Sequence, residues 1–311
     1  MQERSLPVSV VNNYLAYKQH LLPKTRSENL VQVTRDIVAL HATNPTGPYL
    51  SLWARMPGFQ QRWLKGALEE ERKLMRMLCM RMTLHAIPSN ELASFFQAFA
   101  DGRVPTELRS QEALLVSAGL CDEQGASGLV RKLWGKIWEA LDEMGVATVR
   151  ELGQVVPELE VKVQHSQGKP YAGEFSLGSR LVACLCILGL LVRARTRGTW
   201  RSSLHEYACL YFWLRSAVLG DAWPREARSW LVSRYLSAFG PASVDDIHWW
   251  TGFTKTEAHE AVRDLEASLV KVRLLDLDGE YLMLSGDLKS LSTYAPVESP
   301  HAFYLPGLDP Y

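Results

Sequence analysis

His41, Thr43 and Asn44 place three polar side chains at the end of an apolar run, in I-V-A-L-H-A-T-N-P-T-G-P-Y-L (residues 37–50), just ahead of Pro45, Gly47 and Pro48. An imidazole with an ordinary pKa of about 6.5 can orient a water molecule and accept its proton. A threonine hydroxyl can orient the same water without taking the proton. In a continuing helix, residues 41 and 43 would point about 200° apart. Pro45 biases Asn44 toward extended backbone, so the helix marked by Leu30, Val33, Ile37 and Leu40 is expected to end near His41. Once extended, residues 41 and 43 face one side and form a polar ledge. The other reading is a buried, satisfied His41, with Thr43 or Asn44 ending the helix or making a turn.

A second concentration of chemistry lies in residues 189–203, which hold four arginines and no acid: Arg193, Arg195 and Arg197 at period two, then Arg201 beyond Gly198 and Trp200. In a strand the first three share a face, at hairpin spacing around Gly198. They could meet phosphate, or serve as the solvated charges of an edge strand.

The elements that carry these residues repeat along the chain. G-V-A-T-V-R-E-L (145–152) and G-P-A-S-V-D-D-I (240–247) each place a Ser or Thr cap three residues ahead of an acid, as in a capping box. A second helical stretch follows each, G-S-R-L-V-A-C-L-C-I-L in one copy and T-K-T-E-A-H-E-A-V-R-D-L-E-A in the other, the latter opened by Thr254 and Glu257. Each copy then runs into strand-like sequence: the arginine segment in the first, and L-V-K-V-R-L-L-D-L-D-G-E-Y-L-M-L with an Asp278-Gly279 turn in the second. Helix, turn, helix and two-stranded wing is the winged-helix plan. A third copy is expected in the N-terminal hundred residues, with residues 71–85 supplying its sheet.

The fold class expected is therefore mainly α with small β wings (α+β), as tandem winged-helix domains at residues 1–100, 101–215 and 216–311. Thirty-four basic and thirty-four acidic residues give no net charge, which argues against indiscriminate coating of nucleic acid and leaves local patches to decide. Five cysteines without a C-x-x-C pair read as free thiols in a reducing compartment. With no signal-like N-terminus and no apolar run of about 18 residues, a cytoplasmic protein is expected.

The segments V-A-L-H-A-T-N-P-T-G-P-Y-L-S-L-W-A-R, M-R-M-T-L-H-A-I-P, G-P-A-S-V-D-D-I-H-W-W-T-G-F and Y-L-P-G-L-D-P-Y occur in the order of the signature blocks of the AlkZ-like winged-helix DNA glycosylases, which the chain resembles over almost its whole length. The resemblance implies a concave surface for double-stranded DNA, bound as a monomer in the nucleoid. It also implies monofunctional excision of bulky or crosslinked N7-alkylated purines in base excision repair, without metal or cofactor. Where that family carries a Gln-x-Gln pair, this chain has His41-Ala42-Thr43, so His41 and Thr43 are the expected catalytic residues. An N7-alkylpurine is already a cationic leaving group, so holding one water at the anomeric carbon is most of the task. Relatives continue with β structure after the block that ends here at Tyr311, so a short or truncated member is expected.

Expected DNA contacts are Asn44, Arg55 in the first block, Arg81 and His85 on the polar face of a strand with Thr83, the wing residues Arg193, Arg195 and Arg197, and Lys255 and His259 on the polar side of a recognition helix. Arg81 and His85 could equally support the His41 ledge. Trp249 and Trp250 close a helix, where at least one is expected to pack in the core. No H-E-x-x-H, no metal-spaced Cys/His set and no phosphate-binding glycine loop is present. The alternative function is a winged-helix DNA-binding or regulatory protein that does not catalyse.

Overall fold

The computed structural model of the chain describes residues 4–165, 173–215, 223–275, 277–296 and 302–309. Pro310 and Tyr311, the end of the last signature block, lie outside them. Contacts divide the chain into two compact units: Met1–Leu74, Leu78–Ala98 and Gly220–Tyr311 form one, and Met75–Met77 with Phe99–Leu219 the other.

The chain opens with strand β1 (Arg4–Leu6) and helix α1 (Val8–Lys18), followed by α2 (Leu30–Asp36), β2 (Leu40–His41), α3 (Gly47–Arg55) and α4 (Gln61–Lys65), which runs on through a π turn at Gly66–Glu70. Strands β3 (Leu74–Leu78) and β4 (Leu84–Pro88) complete a sheet of order β2-β4-β3. Helix α5 (Leu92–Ser117) then leads to α6 (Glu123–Met144), α7 (Val149–Val155), the hairpin β5 (Lys162–His165) and β6 (Gly173–Ser176), α8 (Leu177–Ile187), the wing β7 (Leu191–Thr196) and β8 (His205–Cys209), and α9 (Leu210–Leu214). Last come α10 (Pro224–Phe239), α11 (Val244–Thr251), α12 (Lys255–Asp264), the wing β9 (Leu269–Leu274) and β10 (Tyr281–Leu284), and α13 (Ser285–Thr293). The result is the expected mainly helical fold with small sheets, in winged-helix repeats.

The repeat is visible atom by atom. Thr148, Ser243 and Thr254 each accept from the amide three residues on, while Glu151, Asp246 and Glu257 accept from the cap amide. Just before the first two caps, Ala147 bridges Tyr207 and Ala242 bridges Leu282, tying each helix start to its own wing. In the N-terminal copy Ala42 occupies this place, donating from its amide to the Leu84 carbonyl at 2.7 Å.

Two expectations need correction. The helix over residues 30–40 stops at Asp36, because Val38 takes a left-handed backbone (φ 68°) and turns the chain into β2. A helix would bury one face of the run I-V-A-L, whereas the observed turn and strand bury all of Ile37, Val38, Ala39 and Leu40. Left-handed strain at a β-branched residue costs about 1–3 kcal/mol, and burying one such side chain returns about as much. The three neighbours decide the balance. The strand expected through residue 85 is also interrupted, since Met80–Met82 form a turn with Arg81 and Met82 both at positive φ.

Residues 4–14 pack on the last repeat rather than on the N-terminal one. Strand β1 pairs in parallel with β9, and Val11 and Tyr14 of α1 pack with Val272, Met283 and Leu291. The segments 1–100 and 216–311 thus lie largely in one unit. The last signature block returns to the same unit: Phe303 and Leu305 pack on Ala16, Leu21, Leu22 and Ala54. Asp309 forms an ion pair with the wholly buried Arg55 at 2.6 Å and accepts from the Ser51 hydroxyl at 2.6 Å.

Replacing Asp309 with alanine leaves a buried guanidinium without its counter-charge, so chemical denaturation should register a loss of about 3–5 kcal/mol. Thr148→Ala, by contrast, should cost about 0.5–2 kcal/mol. Glu151 has its pKa drawn down to about 2 by the Thr148 amide, then by Arg197, and third by the Thr148 hydroxyl that the substitution removes. A depressed carboxylate stabilises the fold above its ordinary range and loses that contribution as pH falls toward about 2, so the Thr148→Ala deficit should shrink in acid.

Candidate functional site

His41 sits at the edge of β2 directly opposite His85 of β4, and the two imidazoles meet edge to face, with centroids 5.2 Å apart and planes at 83°. His85 is fixed from its own strand, its Nδ1 donating to the Thr83 carbonyl at 2.9 Å. His41 is only 8% exposed, and among the described residues no hydrogen bond takes up its ring. Burial, and after it the positive charge of Arg81, hold its pKa below the ordinary 6.5. The ring is therefore neutral at physiological pH, with a nitrogen available to accept a proton.

Thr43 is exposed, and its hydroxyl accepts from the Leu84 amide at 3.2 Å. In the other two repeats the corresponding hydroxyl caps a helix. Here three additional residues delay the cap position to Thr46 and the helix start to Gly47, and the Thr43 hydroxyl closes the strand pairing instead, with its own proton still to donate. Asn44 makes the turn, accepting through Oδ1 from the amide and hydroxyl of Thr46. Gly47 is needed at this point, since a Cβ there would lie 2.9 Å from the His41 carbonyl oxygen.

Arg81 stands at the tip of the turn that leads into β4, exposed, with its guanidinium 4.3 Å from the centre of the Trp249 indole ring. Thus His41, His85 and Arg81 are brought together, and Thr43 closes the same sheet. Arg55 is not a DNA contact. It is fully buried and spent on Asp309 and the Ser51 carbonyl and hydroxyl, because a charge at the centre of the unit requires internal partners. Trp249 was not singled out as functional by the sequence. The signal was there: adjacent tryptophans on a helix diverge by about 100°, so one of them must leave the core.

The remaining expected contacts fall elsewhere. Lys255 is exposed and pairs with Asp245 at 3.4 Å, and His259 borders a groove between α12, the β9–β10 wing and α13 that also exposes Arg263 and Lys289. In the β7–β8 wing, a register shift separates Arg193 from Arg195. Arg193 is half-buried near the Tyr207 ring, Arg195 is exposed with its guanidinium 5.8 Å from the Trp213 ring, and Arg197 is held by Glu206 at 2.6 Å and Glu151 at 2.7 Å. Three equivalent arginines on one face were expected. The bulge and the two carboxylates leave Arg195 as the one of the three that is exposed and meets no carboxylate among the described residues. Among the described residues no group of three His, Cys, Asp or Glu side chains is placed to hold a metal, and no helix is long and apolar enough to cross a membrane.

A family model described as DNA glycosylase AlkZ-like matches residues 34–311. Among solved structures, the chain is similar to the Streptomyces sahachiroi DNA glycosylase AlkZ, with a TM-score of 0.68 and 18% sequence identity, over 94% of this chain and 73% of that one. Identity at that level speaks for the fold. No curated protein sequence matches the chain.

The wing geometry predicts unequal arginines. In duplex-binding titrations across salt concentration, Arg195→Ala should flatten the slope of log K against log salt by about one unit. Arg197→Ala should change it far less, because its charge is already matched. Equal slopes for all three proteins would remove the wing from the DNA contact.

Proposed function

We propose that this chain, which belongs to the AlkZ-like DNA glycosylase family, excises bulky or crosslinked N7-alkylated purines from double-stranded DNA by monofunctional hydrolysis. The family assigns it a place in DNA repair and a DNA substrate. The finer reading rests on one observation, the buried His41 ring, whose pKa burial holds below 6.5 and which has no hydrogen-bond partner among the described residues.

Alkylation at N7 leaves the purine cationic, so the glycosidic bond is already weakened and the enzyme need not protonate the base. What remains is to hold a water at the anomeric carbon and take up its proton as the bond to the base breaks. His41 suits that role because burial keeps its pKa below 6.5, which leaves a ring nitrogen unprotonated at neutral pH and able to accept from the water. His85, edge-on and anchored to Thr83, limits the tilt of the His41 ring. The Thr43 hydroxyl accepts from Leu84 and can donate to the same water. None of His41, His85, Thr43 and Arg81 is a primary amine, so this set offers no group to form an imine with the opened sugar, which supports monofunctional chemistry. The Arg81 cation suits a flanking phosphate.

Release of N7-alkylguanine from a modified duplex tests the reading. His41→Ala should abolish excision and leave duplex affinity nearly intact, since the ring acts in the transition state. Thr43→Val should slow the reaction on the order of ten- to a hundredfold, the cost of one orienting hydrogen bond. Glutamine at both positions should retain or raise activity. Because the pKa of His41 lies below 6.5, the rate should hold as pH falls through 6.5 and decline only in more acid solution. Full activity in His41→Ala would move the chemistry elsewhere, and duplex binding without excision of any alkylated base would leave a DNA-binding protein.

A further inference from the structure

Trp249 and Trp250 are neighbours on α11 with opposite surroundings. Trp250 packs against Tyr235 and Phe239, with ring centroids 4.8 and 5.7 Å away. Trp249 is 65% exposed even with the Arg81 guanidinium 4.3 Å from its ring centre. Arg81 has no carboxylate partner among the described residues, so its stack on the indole is not a by-product of an ion pair.

The contact is built from the backbone outward. Arg81 and Met82 hold consecutive left-handed conformations (φ 50° and 57°), which are costly for non-glycine residues. Gly252, which ends α11 at φ 77°, lets that turn come close: a Cβ on it would lie 3.0 Å from the Arg81 amide nitrogen and 3.1 Å from its Cα. The turn then runs into β4, where His85 faces His41.

We infer, resting on the reading of the site given above, that Trp249 and Arg81 form a plate on which a planar π system of the damaged DNA stacks. That π system is an aromatic adduct on the alkylated purine or an exposed neighbouring base. An open indole face takes either without regard to hydrogen-bonding pattern, and a cationic ring gains further from the indole. Guanidinium planes stack on bases in the same manner. The plate therefore selects for planar bulk at the lesion, and Arg81 is a positioning residue whose charge also disfavours protonation of His41.

Two duplexes test this, one carrying N7-methylguanine and one carrying N7-(naphthylmethyl)guanine at the same position. Affinity is measured in a His41→Ala background, so that binding is read without excision, and single-turnover rates are measured in the otherwise native protein. Trp249→Ala should weaken binding of the naphthylmethyl duplex by about ten- to a hundredfold, and Trp249→Phe should recover most of it. A smaller loss on the methyl duplex identifies the adduct as the stacked group, and equal losses identify a neighbouring base. Arg81→Met, which keeps the stem and removes the charge, should move the acid limb of the rate upward toward pH 6.5. Unchanged affinity of Trp249→Ala for both duplexes overturns the plate, and an unmoved acid limb overturns the part given to Arg81. If the native protein excises neither base while Trp249→Ala still loses affinity, the plate stands and the hydrolytic reading fails.

Discussion

A pairing of two residues on each side, Leu40–His41 against Ala86–His85, is the constraint on which the candidate site depends. Without it, residues 37–43 have a helical pattern and His41 would be one more polar residue near a helix end. With it, Leu40 and its apolar neighbours enter the core, His41 and His85 are placed opposite one another, and Thr43 arrives where its hydroxyl can close the pairing on the Leu84 amide. Each side of the pairing is entered through strained backbone, Val38 ahead of β2 and Arg81–Met82 ahead of β4. Such conformations persist only where surrounding packing over-determines them, and they collect at functional sites.

The same local plan occurs three times with one departure. In two repeats an alanine bridges the wing and the following Ser or Thr caps the next helix at once. In the N-terminal repeat the alanine is kept and the cap position moves three residues on, to Thr46, so that a hydroxyl which elsewhere stabilises a helix is left at an exposed strand end. Three residues more than in the other repeats separate the alanine from the helix, and the Thr43 hydroxyl is not taken up by a helix terminus.

Charge is used locally, in keeping with the zero net balance. Arg55, Arg197 and Lys255 each meet carboxylates, the first in the core and the others at the surface. Exposed pairs of the latter kind contribute little to stability, whereas the Arg55–Asp309 pair ties the last signature block to α3 through a charge that has no solvent to fall back on. Arg81 and Arg195, neither of which meets a carboxylate among the described residues, both lie against aromatic rings, an arrangement that suits nucleic acid better than a purely ionic surface does.

Local rules were legible in the sequence by itself: three capping boxes, the two wings with turns at Gly198 and Gly279, the family, and a helix that breaks ahead of Pro45. Each depends on residues within a few positions of one another, where cap geometry and strand alternation follow from side-chain type. What only the tertiary structure decided depends on partners far along the chain. The helix yielded to a turn and a strand over residues 37–41 because β4, about 45 residues on, offered hydrogen bonds and a core that periodicity does not reveal. Arg55 left the list of DNA contacts because Asp309, 254 residues later, neutralises it. Strand β1 joined the last wing, and Trp249 came to face Arg81, for the same reason. Hydrophobic burial and ion pairing are indifferent to sequence separation, so a pattern read along the chain shows which groups need partners and not which partners they find.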